Sequence, residues 1–138
     1  MNNTSVKYKY NNVLLIDDSE LDNFINEKIV EAHCYARQVH VSTDGKSALE
    51  FINNLLITGG SDNGTFPEVM FVDLNMPIMG GFEFIEHFKK INDPKILACK
   101  LVILTSSISN SDKVRAQKIG NDIIFLNKPL THQKLDQI

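Results

Sequence analysis

The sequence predicts an α/β fold in which a five-stranded parallel sheet carries helices on both faces. Four short apolar runs recur along the chain: Val13-Leu14-Leu15-Ile16, Val69-Met70-Phe71-Val72, Leu101-Val102-Ile103-Leu104 and Ile123-Ile124-Phe125-Leu126. Each is rich in β-branched or aromatic residues and too short for a helix, the pattern of strands buried on both faces. Segments of helical spacing separate them. Strict alternation of strand and helix implies right-handed crossovers and a parallel sheet.

The first run is read as a central strand. A helix follows with Ser19 as N-cap, carrying Leu21, Ile25, Ile29, Ala32 and Ala36 at spacings of three or four. Gln38-Val39-His40-Val41-Ser42 alternates apolar and polar residues, which places a half-exposed strand at a sheet edge. The second helix follows Asp44-Gly45, turns Ala48, Ile52 and Leu55 inward and stops at Gly59-Gly60. Residues 58–67 form a long polar loop before the strand at Val69. A third helix is expected from about residue 81 to 90, with Phe84, Ile85 and Phe88 inward; after it Asp93-Pro94 should start a turn. The runs at Leu101 and Ile123 are read as further central strands. Between them a fourth helix starts near Ser111 and stops at Gly120, offering Val114, Ala116 and Ile119 to the core. Residues 131–138 are left for a short final helix, about two turns at most.

Composition narrows the function classes. The chain has 138 residues, 43% of them hydrophobic and 22% charged, which fits one packed domain. Its net charge of −3 and the lack of a basic stripe disfavour direct nucleic-acid binding. No stretch approaches the roughly 20 apolar residues of a membrane span, and residues 1–12 lack a signal-like apolar core, so a cytoplasmic chain without membrane insertion is expected. Cys34 and Cys99 form no metal or disulfide motif. His33, His40, His87 and His132 are scattered and read as solvent-facing or packing residues.

In an open parallel sheet, ligands bind beyond the carboxyl ends of the strands. Asp17-Asp18, Asp73, Thr105-Ser106 and Lys128-Pro129 all fall at such ends. Three crowded carboxylates repel one another unless a cation joins them, and an oxygen-only donor set suits Mg²⁺ rather than zinc. Lys128 and Thr105 suit phosphoryl oxygens, and Asp73, ending a central strand, is the candidate nucleophile for an acyl phosphate. Taken singly, Ser19, Asp44 and Ser111 are better read as helix caps, Lys-Pro as a turn and Thr-Ser-Ser as a loop start. Coincidence of all the strand-end groups on one edge favours a site.

Leu15-Ile16-Asp17-Asp18-Ser19, the string from Val72-Asp73-Leu74-Asn75-Met76-Pro77 through Ile78-Met79-Gly80-Gly81, Leu104-Thr105-Ser106 and Lys128-Pro129-Leu130 together resemble the receiver domain of two-component response regulators. The resemblance implies the CheY-like (flavodoxin-like) doubly wound fold with strand order 2-1-3-4-5. It covers residues 11–138, leaving 1–10 as a flexible extension and the final helix short or trimmed. It implies that Asp73 accepts a phosphoryl group from a histidine kinase or histidine phosphotransfer protein. Asp17, Asp18, Asp73 and the backbone carbonyl of Asn75 would hold Mg²⁺. Thr105 would turn inward to the acyl phosphate, Lys128 would pair with it, and the Lys128–Pro129 bond would be cis. Phe125 matches the aromatic switch and, lacking a hydroxyl, reports by packing alone. Asn75 and Ser107 occupy positions that tune the lifetime of the phosphorylated state.

The implied role is a single-domain phosphoprotein switch that is not an enzyme beyond its own phosphorylation and dephosphorylation. It would reshape the surface of the fourth predicted helix, fifth strand and final helix for a downstream protein target, with a phosphorylation-dependent homodimer compatible. Kinase specificity would reside largely on the first helix and the loop after the fifth strand, making Asn23, Phe24 and residues 26–28 the first surface to mutate. Two alternatives carry less. A degenerate receiver acting as an interaction module would have lost one of Asp18, Asp73, Thr105 and Lys128. A Mg²⁺-dependent aspartyl-phosphate phosphatase wants Asp-x-Asp at the first strand, where Asp17 is followed two residues later by Ser19.

Overall fold

Three of the four apolar runs, at Val13, Val69 and Leu101, lie side by side as strands buried on both faces, and the fourth pairs along their outer edge. A computed structural model describes residues 6–59 and 64–138. Its strands are β1 (Tyr10–Ile16), β2 (Ala36–Ser42), β3 (Val69–Val72), β4 (Lys100–Thr105) and β5 (Ile124–Asn127), all parallel in the order β2-β1-β3-β4-β5. Its helices are α1 (Glu20–Ala32), α2 (Gly45–Thr58), α3 (Gly81–Lys89), α4 (Pro94–Ala98), α5 (Asn110–Ile119) and α6 (His132–Asp136).

Alternate residues of each strand point to opposite faces. Leu14, Ile16, Met70, Val72, Leu101 and Ile103 therefore join Ala48, Ile52, Phe84, Ile85, Phe88 and Ala116 of α2, α3 and α5 in one core. Val13, Leu15, Val69, Phe71, Val102 and Leu104 join Val30 of α1 and Leu135 of α6 in the other. The sheet thus separates two apolar layers, the physical content of the doubly wound arrangement expected from sequence.

Several local readings differ. β1 starts at Tyr10, the last residue of the span read as a flexible extension; residues 1–5 of that span lie outside the described residues, as does Gly60 of the predicted Gly59-Gly60 stop and much of the 58–67 loop. Gly59 does end α2, in a left-handed conformation with φ +77°. The buried face of α1 is Asn23, Asn26 and Val30, whereas Leu21 and Ile25 face outward and Ala36 begins β2. The first two turns of α1 pack beside polar groups at the sheet's carboxyl edge, so amide side chains occupy that face. Asn23 and Asn26, read as surface for partner choice, are accordingly buried.

Asp93-Pro94 starts the short helix α4 rather than a turn: the Asp93 carboxylate accepts from the Lys95 N–H at 2.8 Å, and proline is well placed in the first turn. The cap of α5 is Ser109, not Ser111, and Val114 is exposed. The last apolar run supplies β5, which is the second edge and half-buried throughout, because only β4 pairs with it.

Candidate functional site

Polar residues begin where each central strand leaves the sheet. Asp17 is held by its backbone and by its neighbours: its N–H donates to the Ser42 carbonyl at 3.1 Å, its carbonyl accepts from Asn23 Nδ2 at 2.8 Å, and its Oδ1 accepts from the Ser19 N–H at 2.9 Å. Ser19 in turn caps α1 by accepting from the Asp22 N–H at 3.1 Å. Asp73 follows β3 and donates its N–H to the Ile16 carbonyl at 2.9 Å, which fixes it beside Asp17. Behind it the chain passes closely at Gly81, where a Cβ would stand 2.4 Å from the Asp73 carbonyl oxygen and force the backbone to shift.

Asp17, Asp18 and Asp73 each offer a carboxylate oxygen within 4.8 Å of the others. Asp17 and Asp73 are buried at 4% and 6% exposure, and Asp18 is exposed. Asp73 Oδ1 is buried without a hydrogen-bond partner. Burial, and then the charge of Asp17, raise the Asp73 carboxyl above the ordinary aspartate range, against the opposing pull of Lys128 and the amides of Asn75 and Leu74. An unpartnered oxygen in a cluster of hard carboxylates, with no imidazole or thiol among them, fits a hard divalent ion such as Mg²⁺.

The lysine comes from the other side. Lys128 follows β5, its bond to Pro129 is cis, and its N–H donates to the Thr105 carbonyl at 2.9 Å. The Nζ donates to Asp17 Oδ2 and to Asp22 Oδ2, both at 2.8 Å, and lies 3.7 Å from Asp73 Oδ2. Burial acts to lower the pKa of this ammonium, but the hydrogen bonds to Asp17 and Asp22 and the charges of Asp73 and Asp17 outweigh it and hold the group firmly protonated.

Thr105 ends β4, fully buried, with its Oγ1 accepting from the Ser107 N–H at 3.2 Å. Asn127 Nδ2 ties the same loop by donating to the Ser107 carbonyl at 2.6 Å, and Ser107 Oγ donates to Asp112 at 2.6 Å. Phe125 lies on β5 opposite Ile103, half-buried against the α2–α3 core, with Lys113 Nζ 5.9 Å from its ring. Asn75 is exposed at the start of the loop after Asp73.

Asp17, Asp18, Asp73 and Lys128 are therefore brought together, while Thr105 and Phe125 stand on the two neighbouring strands. Asp22 is not among the residues expected from sequence, and Asn23, expected as partner-facing surface, is instead buried against the Asp17 carbonyl. Their signal is positional, since both fall within five residues of Asp18, at the start of a capped helix.

A family model described as the response regulator receiver domain matches residues 13–138. The crystal structure of a two component response regulator from Cytophaga hutchinsonii superposes with a TM-score of 0.81 at 29% identity, covering 93% of this chain and 92% of that one. Response regulator Rcp1 of Synechocystis is 23% identical over 78% of this chain and 69% of its own length. The sensor histidine kinase CheAY of Helicobacter pylori is 28% identical over 91% of this chain, which spans 14% of that protein. Among the described residues no helix is long and apolar enough to cross a membrane.

Proposed function

Because this chain belongs to the response regulator receiver domain family, we propose that it is a phosphorylation-driven signalling switch with Asp73 as its phosphoryl acceptor. The observation that carries this reading is the unpartnered Asp73 Oδ1, buried within reach of two further carboxylates and 3.7 Å, through Oδ2, from a lysine ammonium. A buried oxygen left without a partner is costly unless something else occupies the site.

Phosphoryl transfer asks the protein mainly for positioning and charge. One Asp73 oxygen bonds to phosphorus as the P–N bond to the donor's histidine breaks, and the imidazole, already protonated on its other ring nitrogen, leaves as neutral histidine with the electron pair of that bond. Mg²⁺, held by Asp17, Asp18, Asp73 and the carbonyl of Asn75, would neutralise the carboxylates and polarise the phosphoryl oxygens. Lys128 pairs with one phosphoryl oxygen. Thr105 gives up its bond to the Ser107 amide and turns its hydroxyl to another. Phe125 then repacks toward the space behind Thr105, and the surface of α5, β5 and α6 changes for a downstream protein or a second copy of the chain. The receiver unit takes in Tyr10 and the rest of β1 and runs through residue 138, working in the cytoplasm, with no substrate turnover beyond its own phosphorylation and dephosphorylation.

The phosphodonor, a histidine kinase or phosphotransfer protein, docks on the outer face of α1. Exposed Leu21, Phe24 and Ile25 there form an apolar strip, with Lys28 Nζ 5.3 Å from the Phe24 ring. Incubation with Mg²⁺ and acetyl phosphate should add one phosphoryl group by intact-mass measurement, and Asp73→Asn should abolish it. Equal labelling of the variant would remove Asp73 from its role.

A further inference from the structure

A lysine ammonium has three N–H donors. In this chain two of them are taken by Asp17 and Asp22 at 2.8 Å, while Asp73 at 3.7 Å lies beyond hydrogen-bond length. The cation at the centre of the site is thus bonded to carboxylates other than the acceptor. Asp17 already belongs to the three-carboxylate cluster and accepts from the Ser19 amide. Asp22 has no such second duty: among the described residues its one ion pair is with Lys128, and its side chain is 37% exposed.

From this geometry we infer that Asp22 is a positioning residue that parks the Lys128 ammonium in the resting protein and competes with the phosphoryl group on Asp73 for it. The inference rests on the reading of Asp73 as acceptor. Asp22 sits in the first turn of α1, where the helix end favours a negative charge, so the anchor stays in place while the long lysine stem moves. Release is easy because the half-exposed carboxylate regains water when Lys128 leaves. Lys128 therefore has two seats: one between Asp17 and Asp22, the other against a phosphoryl oxygen. The strength of the Asp22 contact sets how readily it changes seat, and with it the rate at which Asp73 is labelled.

The test compares wild type, Asp22→Asn and Asp22→Glu as full chains with acetyl phosphate at saturating Mg²⁺, the rate of Asp73 labelling being read by intact mass. A partly exposed ion pair is worth enough to change the labelling rate by about threefold, so Asp22→Asn should label about threefold faster and Asp22→Glu should return close to wild type. The gain should shrink but not vanish at about 1 M salt, where charges more than roughly 3 Å apart are screened but the 2.8 Å contact is still hydrogen-bonded. In metal-free protein the Lys128 ammonium ¹⁵N resonance, slowed in exchange by its two carboxylates, should be visible in wild type and lost in Asp22→Asn. An unchanged or slower rate, a gain that vanishes at high salt, or an unaltered Lys128 resonance would overturn the inference. Wild type that does not label at all would instead overturn the acceptor role of Asp73.

Discussion

At the scale of single residues the site is a set of charges held at unfavourable distances. Burial and Asp17 raise the pKa of Asp73, so the folded chain binds a proton there more readily than the unfolded chain does. Stability must then fall as pH rises from the ordinary aspartate range through the raised one, and ionised Asp73 is destabilising at neutral pH when no cation is present. Asp73→Asn, which keeps the shape and removes the charge, should therefore be more stable than wild type in metal-free buffer near about pH 7, by on the order of 1 kcal/mol. The difference should shrink as the pH is lowered through the raised range of the Asp73 carboxyl to the ordinary aspartate range, where the wild-type group has taken up its proton. Thermal melts at both pH values check this, and a wild type as stable as the variant at neutral pH would contradict it. Asp17 and Asp73 are legible because each directly ends an apolar run, and Lys128 because it follows one by a single residue ahead of a proline. Asp22 is not, because its place depends on where a flexible lysine stem folds over.

At the scale of elements, sequence periodicity succeeds where one face meets hydrocarbon and fails where it meets the site. α2 and α3 bury the predicted Ala48, Ile52, Phe84, Ile85 and Phe88, since both pack over an apolar sheet face. α1 packs its first turns beside Asp17, so its buried stripe reads Asn23, Asn26, Val30 and its apolar residues mark the outside. β5 has the composition of a central strand, but topology makes it an edge; composition cannot tell an outer strand from an inner one when half of its surface is covered. The junction from β3 to α3 gives a sharp test. A Cβ on Gly81 would stand 2.4 Å from the Asp73 carbonyl oxygen and 2.9 Å from Leu74 Cα, backbone atoms that cannot swing aside. Gly81→Ala should cost about 1–3 kcal/mol, as overpacking does, and slow labelling of Asp73 by shifting its backbone. Urea denaturation together with acetyl phosphate labelling measures both. A variant with wild-type midpoint and rate would show that this contact relaxes freely.

At the scale of the whole molecule, two apolar layers stabilise a sheet whose carboxyl edge gathers like charges. The fold supplies the stability and the edge consumes part of it, because Asp17, Asp18 and Asp73 must stay close whether or not a cation lies between them. A ligand that binds only this folded edge stabilises the entire chain by mass action. Mg²⁺ should therefore raise the melting temperature progressively. At about a hundredfold excess over Kd the gain is about 2.7 kcal/mol, which for a chain of 138 residues is a rise on the order of 10 °C. Asp18 is the exposed member of the cluster, so Asp18→Asn leaves both cores untouched and should remove most of that Mg²⁺-dependent rise while changing the metal-free melting temperature little. A melting temperature of wild type that is flat in Mg²⁺, or an Asp18→Asn variant that responds as fully as wild type, would mean that these three carboxylates do not form the cation site.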